Sequence, residues 1–333
     1  MRTTVTALAD RLRSEADAWE FLEELRWPGG VECPKCHGSD VYLVKPKNGH
    51  SRRTSSGSMS ERRTWNCRTC RRQFSATTGT MMHGTKIPLR TWVLVIFEMC
   101  ASKNGIAARE IERKYGLCCR SAWFLMHRIR EAMKSDGLVG SMRGTIVADE
   151  TWIGGNPKKM NRSRKGDIYK LRLVIDPERA TEKTDKTPVL SLIDAETGEV
   201  RSAVLPRVDG SNLRKAIAKQ VDMAGSVLWT DEGAWYNQLG REFISHGTVN
   251  HAQGEFVDWI TGASTNKAEN YFSQLKRSLT GTHHRVSVEH LPRYLAEFDY
   301  RYTTKHLADG ERMAALVGRG EGRRLTYKRV AAR

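Results

Sequence analysis

Thr145-Ile-Val-Ala-Asp149-Glu150 is an apolar run that ends on two carboxylates. Val227-Leu-Trp-Thr-Asp231-Glu232 repeats the pattern, and Glu269 follows in a helix-periodic stretch, Asn266-Lys-Ala-Glu269-Asn-Tyr-Phe-Ser-Gln-Leu-Lys276-Arg277. Two carboxylates on strand ends and one on a helix suit a two-metal phosphoryl-transfer centre. Hard divalent cations take several oxygen ligands, and a pair of them clamps the attacking and leaving oxygens of an in-line displacement. Neighbouring strand residues point to opposite faces, so one member of Asp149-Glu150 and one of Asp231-Glu232 can aim into a shared site. Both faces of these strands are apolar, and the pattern leaves open which member it is.

Outward from these runs, the period is that of strands at 144–149, 187–194, 199–205 and 226–231, with a short one near 247–251. Glu196-Thr-Gly198 ahead of an alternating segment predicts a hairpin. Residues 211–223 read as a helix, and 265–279 as a long one. Three strands, helix, strand, short helix, strand and long helix is the order of an RNase H-like α/β fold with a mixed sheet, placed over 144–308. Glu269 and Lys276 are two turns apart on one helix face, about 10 Å along the axis. Lys276 is thus either beside a substrate phosphate or an ordinary exposed lysine.

Ahead of this domain the chain changes character. Residues 12–26 have helical spacing and stop at Pro28-Gly-Gly, giving an N-terminal helix within 1–30. Cys33-Pro-Lys-Cys36 and Cys67-Arg-Thr-Cys70 form two knuckles, each presenting two thiolates to one side of a tight turn. Together they complete a tetrahedron for structural zinc in a ribbon over 31–78. Redox chemistry needs one such pair, not two. The interior from 45 to 63, rich in Ser, Gly and Arg, reads as a loop. Cys100, Cys118 and Cys119 sit in apolar helical surroundings and read as core. Three helices (89–101, 107–115, 121–133) fill 79–139, and the last two resemble a helix-turn-helix. Trp123, Met126, Ile129 and Met133 would face its core, leaving Arg120, Arg128 and Arg130 for DNA. Plain packing with solvated arginines is the alternative.

The 333 residues carry a net charge of +17, with hydrophobic content of 39% that supports real cores. Such an excess opposes compaction, and polyanion binding is its commonest reason. The charge lies in blocks: between 45 and 90 the only acid is Glu61, residues 158–165 (with Lys158 and Lys159) have none, and the segment 309–333 reads as a basic C-terminal tail. No apolar run approaches membrane length, and no secretory leader pattern is evident, so a cytoplasmic, nucleoid-associated protein is expected. A P-loop or Gly-rich dinucleotide fingerprint is absent, which argues against a small-molecule nucleotide substrate. His251, His283 and His284 are weak metal candidates, and His283-His284 on a Gly-Thr turn suit phosphate or base contact.

Several of these segments taken jointly resemble one family. Trp27-Pro-Gly-Gly-Val-Glu-Cys-Pro-Lys-Cys36 and Cys67-Arg-Thr-Cys-Arg-Arg-Gln-Phe-Ser-Ala-Thr-Thr-Gly-Thr80 resemble the zinc-ribbon front end of bacterial insertion-sequence transposases of the ISXO-like DDE group. Asp149-Glu-Thr-Trp-Ile-Gly-Gly155, Thr230-Asp-Glu232, Asn266 to Arg277 and Gly281-Thr-His-His-Arg-Val-Ser287 are similar to that group too. The resemblance implies that Asp149, Asp231 and Glu269 hold two magnesium (or manganese) ions, with Lys276 as the basic residue of the signature and Arg277 beside it. It implies end binding at terminal inverted repeats, strand transfer into target DNA and a homo-oligomer on DNA. The inter-knuckle loop and residues 158–186 depart from the family pattern. An RNase H-like nuclease or resolvase, or an inactive DNA-binding regulator, are the alternatives.

Overall fold

The computed structural model describes residues 3–45, 61–135, 140–154, 186–249, 257–258, 262–327 and 330. Lys158, Lys159, His251 and most of the inter-knuckle loop lie outside the described residues. The chain divides into two compact units, Met1–Lys134 with Thr304–Arg333, and Ser135–Thr303.

In the first unit, α1 (Val5–Arg11) precedes α2 (Glu15–Arg26). α1 lies ahead of the span 12–26 expected to be helical, and the helix expected there begins only at Glu15, because Ser14 caps α2. Its hydroxyl accepts from Asp17 N (3.1 Å) while its own N–H donates to Asp17 Oδ2 (2.7 Å). Leu12, at the C-terminus of α1, is fully buried all the same. Strands β1 (Val41–Leu43), β2 (Trp65–Cys67) and β3 (Gln73–Phe74) form an antiparallel ribbon. Then come α3 (Leu89–Ala101), α4 (Ala108–Tyr115) and α5 (Cys119–Met133). Gly116, at φ 63°, ends α4 in the left-handed region that favours glycine.

α5 is buried more completely than its sequence suggests. Met126, Ile129 and Met133 are core as expected, but so are Arg128 (6% exposed) and Arg130 (1%). The reading that left both arginines free for DNA is therefore corrected. The Arg128 guanidinium lies over the rings of Trp92 and Phe124 at 5.0 and 5.6 Å, and donates to the His83 carbonyl at 2.7 Å. Arg120 is exposed, and Trp123 is only half-buried, against His127. Cys100 is buried as expected, whereas Cys118 is exposed. Residues 309–333 are not simply a tail: Asp309–Arg319 forms a helix that packs on α2, α3 and α5 through Met313, Leu316 and Val317.

The second unit is a five-stranded mixed sheet in the order β6-β5-β4-β7-β8. β4 is Met142–Ile153, β5 Thr187–Asp194, β6 Val200–Val204, β7 Val221–Asp231 and β8 Ser245–Val249. β4 is central, antiparallel to β5 and parallel to β7. The predicted hairpin joins β5 to β6; Asp194 Oδ1 accepts from the N–H groups of Glu196 (2.7 Å) and Thr197 (2.9 Å), and Gly198 sits at φ 73°. One helix, α6 (Gly210–Ala218), ends five residues sooner than the 211–223 reading. Ile217 and Val221 are spaced as a helix would space them, but Val221 pairs with Met142 as the start of β7. Backbone pairing and burial override the helical spacing there.

The sheet separates two cores. Ile146, Ala148 and Leu228 face one with Leu213 and Ile217 of α6, and with Tyr236 of the short α7 (Tyr236–Leu239). Val147 and Val189 face the other, with Trp229 against it. That second face is covered by α8 (Asn266–Ser278) and α9 (Leu291–Thr303), the latter followed in the first unit by α10 (Asp309–Arg319). Among the described residues no helix is long and apolar enough to cross a membrane.

Candidate active site

The register of β4 and β7 places the first two acids. Val147 pairs with Trp229, both turned to the α8 side. Two positions further on in each strand come Asp149 and Asp231, on that same face by alternation. Glu150 takes the other face, with Ala148, and there Tyr236 donates its hydroxyl to the Glu150 carboxylate. Each aspartate is oriented locally. Asp149 Oδ1 accepts from Glu150 N (2.7 Å), and Asp231 Oδ1 from Gly233 N (3.1 Å).

α8 lies on β4 and β5, burying Ala268, Tyr271, Phe272 and Leu275. Glu269 is exposed in its first turn and Lys276 in its last, the arrangement the helix macrodipole favours. Lys276 Nζ stands 5.9 Å from the Phe272 ring centre. Among the described residues the carboxylate oxygens of Asp149, Asp231 and Glu269 do not all come within 4.8 Å of one another. Three anions repel at closer range, and a two-ion centre, with its cations about 3.5–4 Å apart, needs a wider opening than a one-ion cage. The donor set, all oxygen, fits magnesium or manganese.

Beneath this face runs a buried polar chain that the sequence did not disclose. Ser191, opposite Asp149 on β5, shares a hydrogen bond with Ser202 of β6 (2.9 Å). Ser202 donates through its hydroxyl (2.7 Å) and N–H (2.9 Å) to Asp299 of α9, and Tyr271 of α8 donates to the same carboxylate at 2.6 Å. Burial pushes Asp299 up to about 7, against those three donors.

On the opposite face, burial pushes Glu150 up to about 7; the Tyr236 hydroxyl opposes the rise, and the charges of Asp149 and Asp231 add to it. Thr230 and His246 Nε2 are 2.8 Å apart, and burial holds the imidazole below its ordinary range. Gly240 is required beside that ring: a Cβ there would lie 2.3 Å from His246 Nδ1. Sequence reading missed Tyr236 and His246, whose only signal is closeness to Asp231 in the chain or sheet.

The two histidines of the Gly-Thr turn part company. His283 ends a π-helical turn (Leu279–His283) and sets its ring edge-on to Tyr294 and Phe298, centroids 4.9 and 6.0 Å away. It is a packing residue, which runs against the expectation of DNA contact. His284 is exposed in the left-handed region (φ 55°), with Nδ1 3.0 Å from the Thr280 carbonyl. Arg277 is exposed as well.

The four knuckle cysteines gather in the other unit, with all four Sγ atoms within 4.8 Å of one another. The knuckles share one turn. Cys33 N donates to Gly38 O (3.1 Å) and Cys67 N to Arg72 O (3.0 Å), and His37 and Arg71 both adopt φ near 55°. The Cys70 N–H, donated to Cys67 Sγ, helps hold that thiol down to about 6. Thiolate character in a closed tetrahedral set is what structural zinc requires, and these residues fit it.

Comparison with known proteins finds a family match for each of the two segments. The family described as ISXO2-like transposase domain matches residues 141–303, and the transposase zinc-ribbon domain matches 13–73. A protein of Halobacterium salinarum, described as an uncharacterized protein in transposable element ISH50, is 25% identical over 294 residues, covering 86% of this chain and 90% of that one. A solved simian T-cell lymphotropic virus intasome, in complex with a PP2A regulatory subunit, is similar at 10% identity and a TM-score of 0.28 over 63% of this chain and 64% of that one, too weak to argue from. The chain thus carries an ISXO2-like transposase domain over residues 141–303, RNase H-like and of the DDE type, with a transposase zinc-ribbon domain ahead of it over 13–73.

Proposed function

We propose that this transposase cuts the ends of its insertion sequence and joins them to target DNA at one divalent-metal centre held by Asp149, Asp231 and Glu269. The observation that carries this is the β4–β7 register: alternation from Val147 and Trp229 puts Asp149 and Asp231 on the face covered by α8, the helix that holds Glu269 in its first turn. Bound magnesium or manganese would supply Lewis-acid activation of water, and then of the freed 3′-hydroxyl. The protein's part is positional. Asp149, Asp231 and Glu269 would hold the cations, and Lys276, two turns along the helix from Glu269, would meet a substrate phosphate. No ATP and no covalent protein–DNA link are needed, because positioning and charge supply the catalysis.

DNA would be docked by the zinc ribbon and the α4–α5 pair, with Arg120 the exposed basic side chain at the start of the second helix. Two ends must be held together for joining, so an oligomer on DNA is part of the reading. The test is a strand-transfer assay with purified protein, magnesium and labelled duplex carrying the DNA that flanks the reading frame. Joined products that vanish in Asp149→Ala and Glu269→Ala establish the reading. Nicks without joining would favour a nuclease, and binding without either a regulator.

A further inference from the structure

In the unit formed by Met1–Lys134 and Thr304–Arg333, several segments converge on the turn at residues 77–83. The C-terminal segment lies along it: Gly322 N donates to Gly79 O (2.9 Å), Met81 N to Gly320 O (2.9 Å), and Thr80 bridges to Glu321. That pairing carries Arg324 to the turn. His83 closes it, accepting Gly79 N–H on Nδ1 (3.1 Å) and the Arg128 guanidinium on its carbonyl (2.7 Å). Arg62 enters beside it, donating to Ser75 Oγ at 3.2 Å. Phe124 of α5, under Arg128, meets the exposed ring of Tyr327 edge-on at 5.4 Å.

The charges that bear on His83 are those of Arg324, Arg128 and Arg62. Arg128 is 6% exposed and its Nε has no hydrogen-bond partner, and among the described residues neither it nor Arg324 forms an ion pair. Burial holds His83 below the ordinary imidazole range, and Arg324, Arg128 and Arg62 push it further the same way; burial, then Arg324, pulls Arg128 down to about 10. Two nearby acids are already held by other arginines. Arg26 holds Glu321 at 2.8 Å, and Arg63 holds Glu23 at 2.9 Å. A desolvated guanidinium without a carboxylate is costly, and like charges beside it add to the cost. The two aromatic faces offset part of it. A bound anion would offset the rest.

We infer that Arg62, Arg128 and Arg324, rimmed by Tyr327, form a seat for a backbone phosphate of duplex DNA. Guanidinium forks match phosphate oxygens, and three of them brought from separate segments surround one anion better than a helix face could. Arg128 thus serves DNA as the buried floor of a phosphate seat, not as a groove-reading side chain. The C-terminal segment becomes part of the DNA surface. This rests on the DNA-processing reading above.

The experiment uses the zinc-loaded full chain with magnesium and manganese left out, so that nothing is cut, and a labelled duplex followed by anisotropy over a salt series. Arg62→Ala and Arg324→Ala, both at exposed positions, should each weaken binding and lower the slope of log affinity against log salt by ~0.9 for each phosphate no longer neutralised. In parallel, NMR titration of His83 should show its pKa rising when duplex is added to the wild type, and not in Arg324→Ala. Unchanged slopes and affinities in both variants, each folded with the wild-type Tm, would overturn the seat. So would a His83 response to inorganic phosphate but not to duplex. A wild type that binds duplex through these arginines yet never nicks it leaves the seat standing and removes the catalytic reading.

Discussion

Glu150→Gln tests the strand register through stability alone. Glu150 faces away from α8, partly buried, with the Tyr236 hydroxyl on its carboxylate, and titrates at about 7 in the folded chain against an ordinary 4.5. The folded pKa is the higher one. Between the two values the native chain keeps a proton that the unfolded chain has released, so stability falls as pH rises. The loss begins near 4.5, is complete above about 7, and at about 1.4 kcal/mol per pH unit comes to on the order of 3 kcal/mol. Glutamine keeps an acceptor for Tyr236 and cannot ionise. Glu150→Gln should therefore match the wild type near pH 4.5 and exceed its stability by on the order of 3 kcal/mol above pH 7. The assay is urea unfolding of both zinc-loaded proteins across this pH range without magnesium or manganese, followed by the far-UV signal. Adding magnesium should flatten the wild-type curve, because cations on Asp149 and Asp231 remove the like charges that help raise Glu150. A stability difference between the two proteins that stays constant with pH refutes the reasoning, since it would mean that the carboxylate is hydrated and not turned into the Tyr236 side.

Asp149→Asn should abolish metal-dependent nicking by about 10³-fold or more while shifting stability by less than about 1 kcal/mol, a pairing read by gel assay and urea titration. Cys67→Ser should lose bound zinc by metal analysis and remove amide protection from β1, β2 and β3, of whose eight strand residues only Cys67 and Phe74 are buried; retained protection would show a ribbon that stands without metal. Tyr271→Phe takes one of three donors from the buried Asp299 and should cost about 1–3 kcal/mol in urea unfolding. A cost near zero would mean that water reaches that carboxylate.

The acids and knuckles were legible because their chemistry demands fixed residue types at the ends of recognisable elements. β5 was read to the residue, since an unbroken apolar run bounded by a turn allows one assignment. What failed was whatever depends on enclosure. Arg128 and Arg130 look like solvent residues beside an apolar stripe, yet residues 125–130 of α5 are buried without a break. Charge also disguised α9, where Glu297, Asp299 and Arg301 are all buried. Basic composition hid α10 as well, though Met313, Leu316 and Val317 have helical spacing. The face taken by Asp149 followed from family resemblance at first and from strand register only once β7 was seen beside β4. Partner strands cannot be read from one strand's pattern when both of its faces are apolar.

The placement of Glu269 raises a question of force. Cations are needed to draw three carboxylates together, so the helix that carries one of them could stand off without metal. Repulsion between two unit charges at 4 Å is about 4 kcal/mol at an effective dielectric of 20, and these oxygens do not all approach within 4.8 Å. Against this stand Tyr271, Phe272 and Leu275, buried from the same helix, each worth about 1.5–3 kcal/mol. Tyr271 is further tied through Asp299 and Ser202 to Ser191, the β5 residue opposite Asp149. Packing and hydrogen bonding together exceed the repulsion, so α8 stays docked with or without cations. Metal then has only side-chain rotamers to settle, and chelator should leave amide protection along α8 unchanged while abolishing nicking.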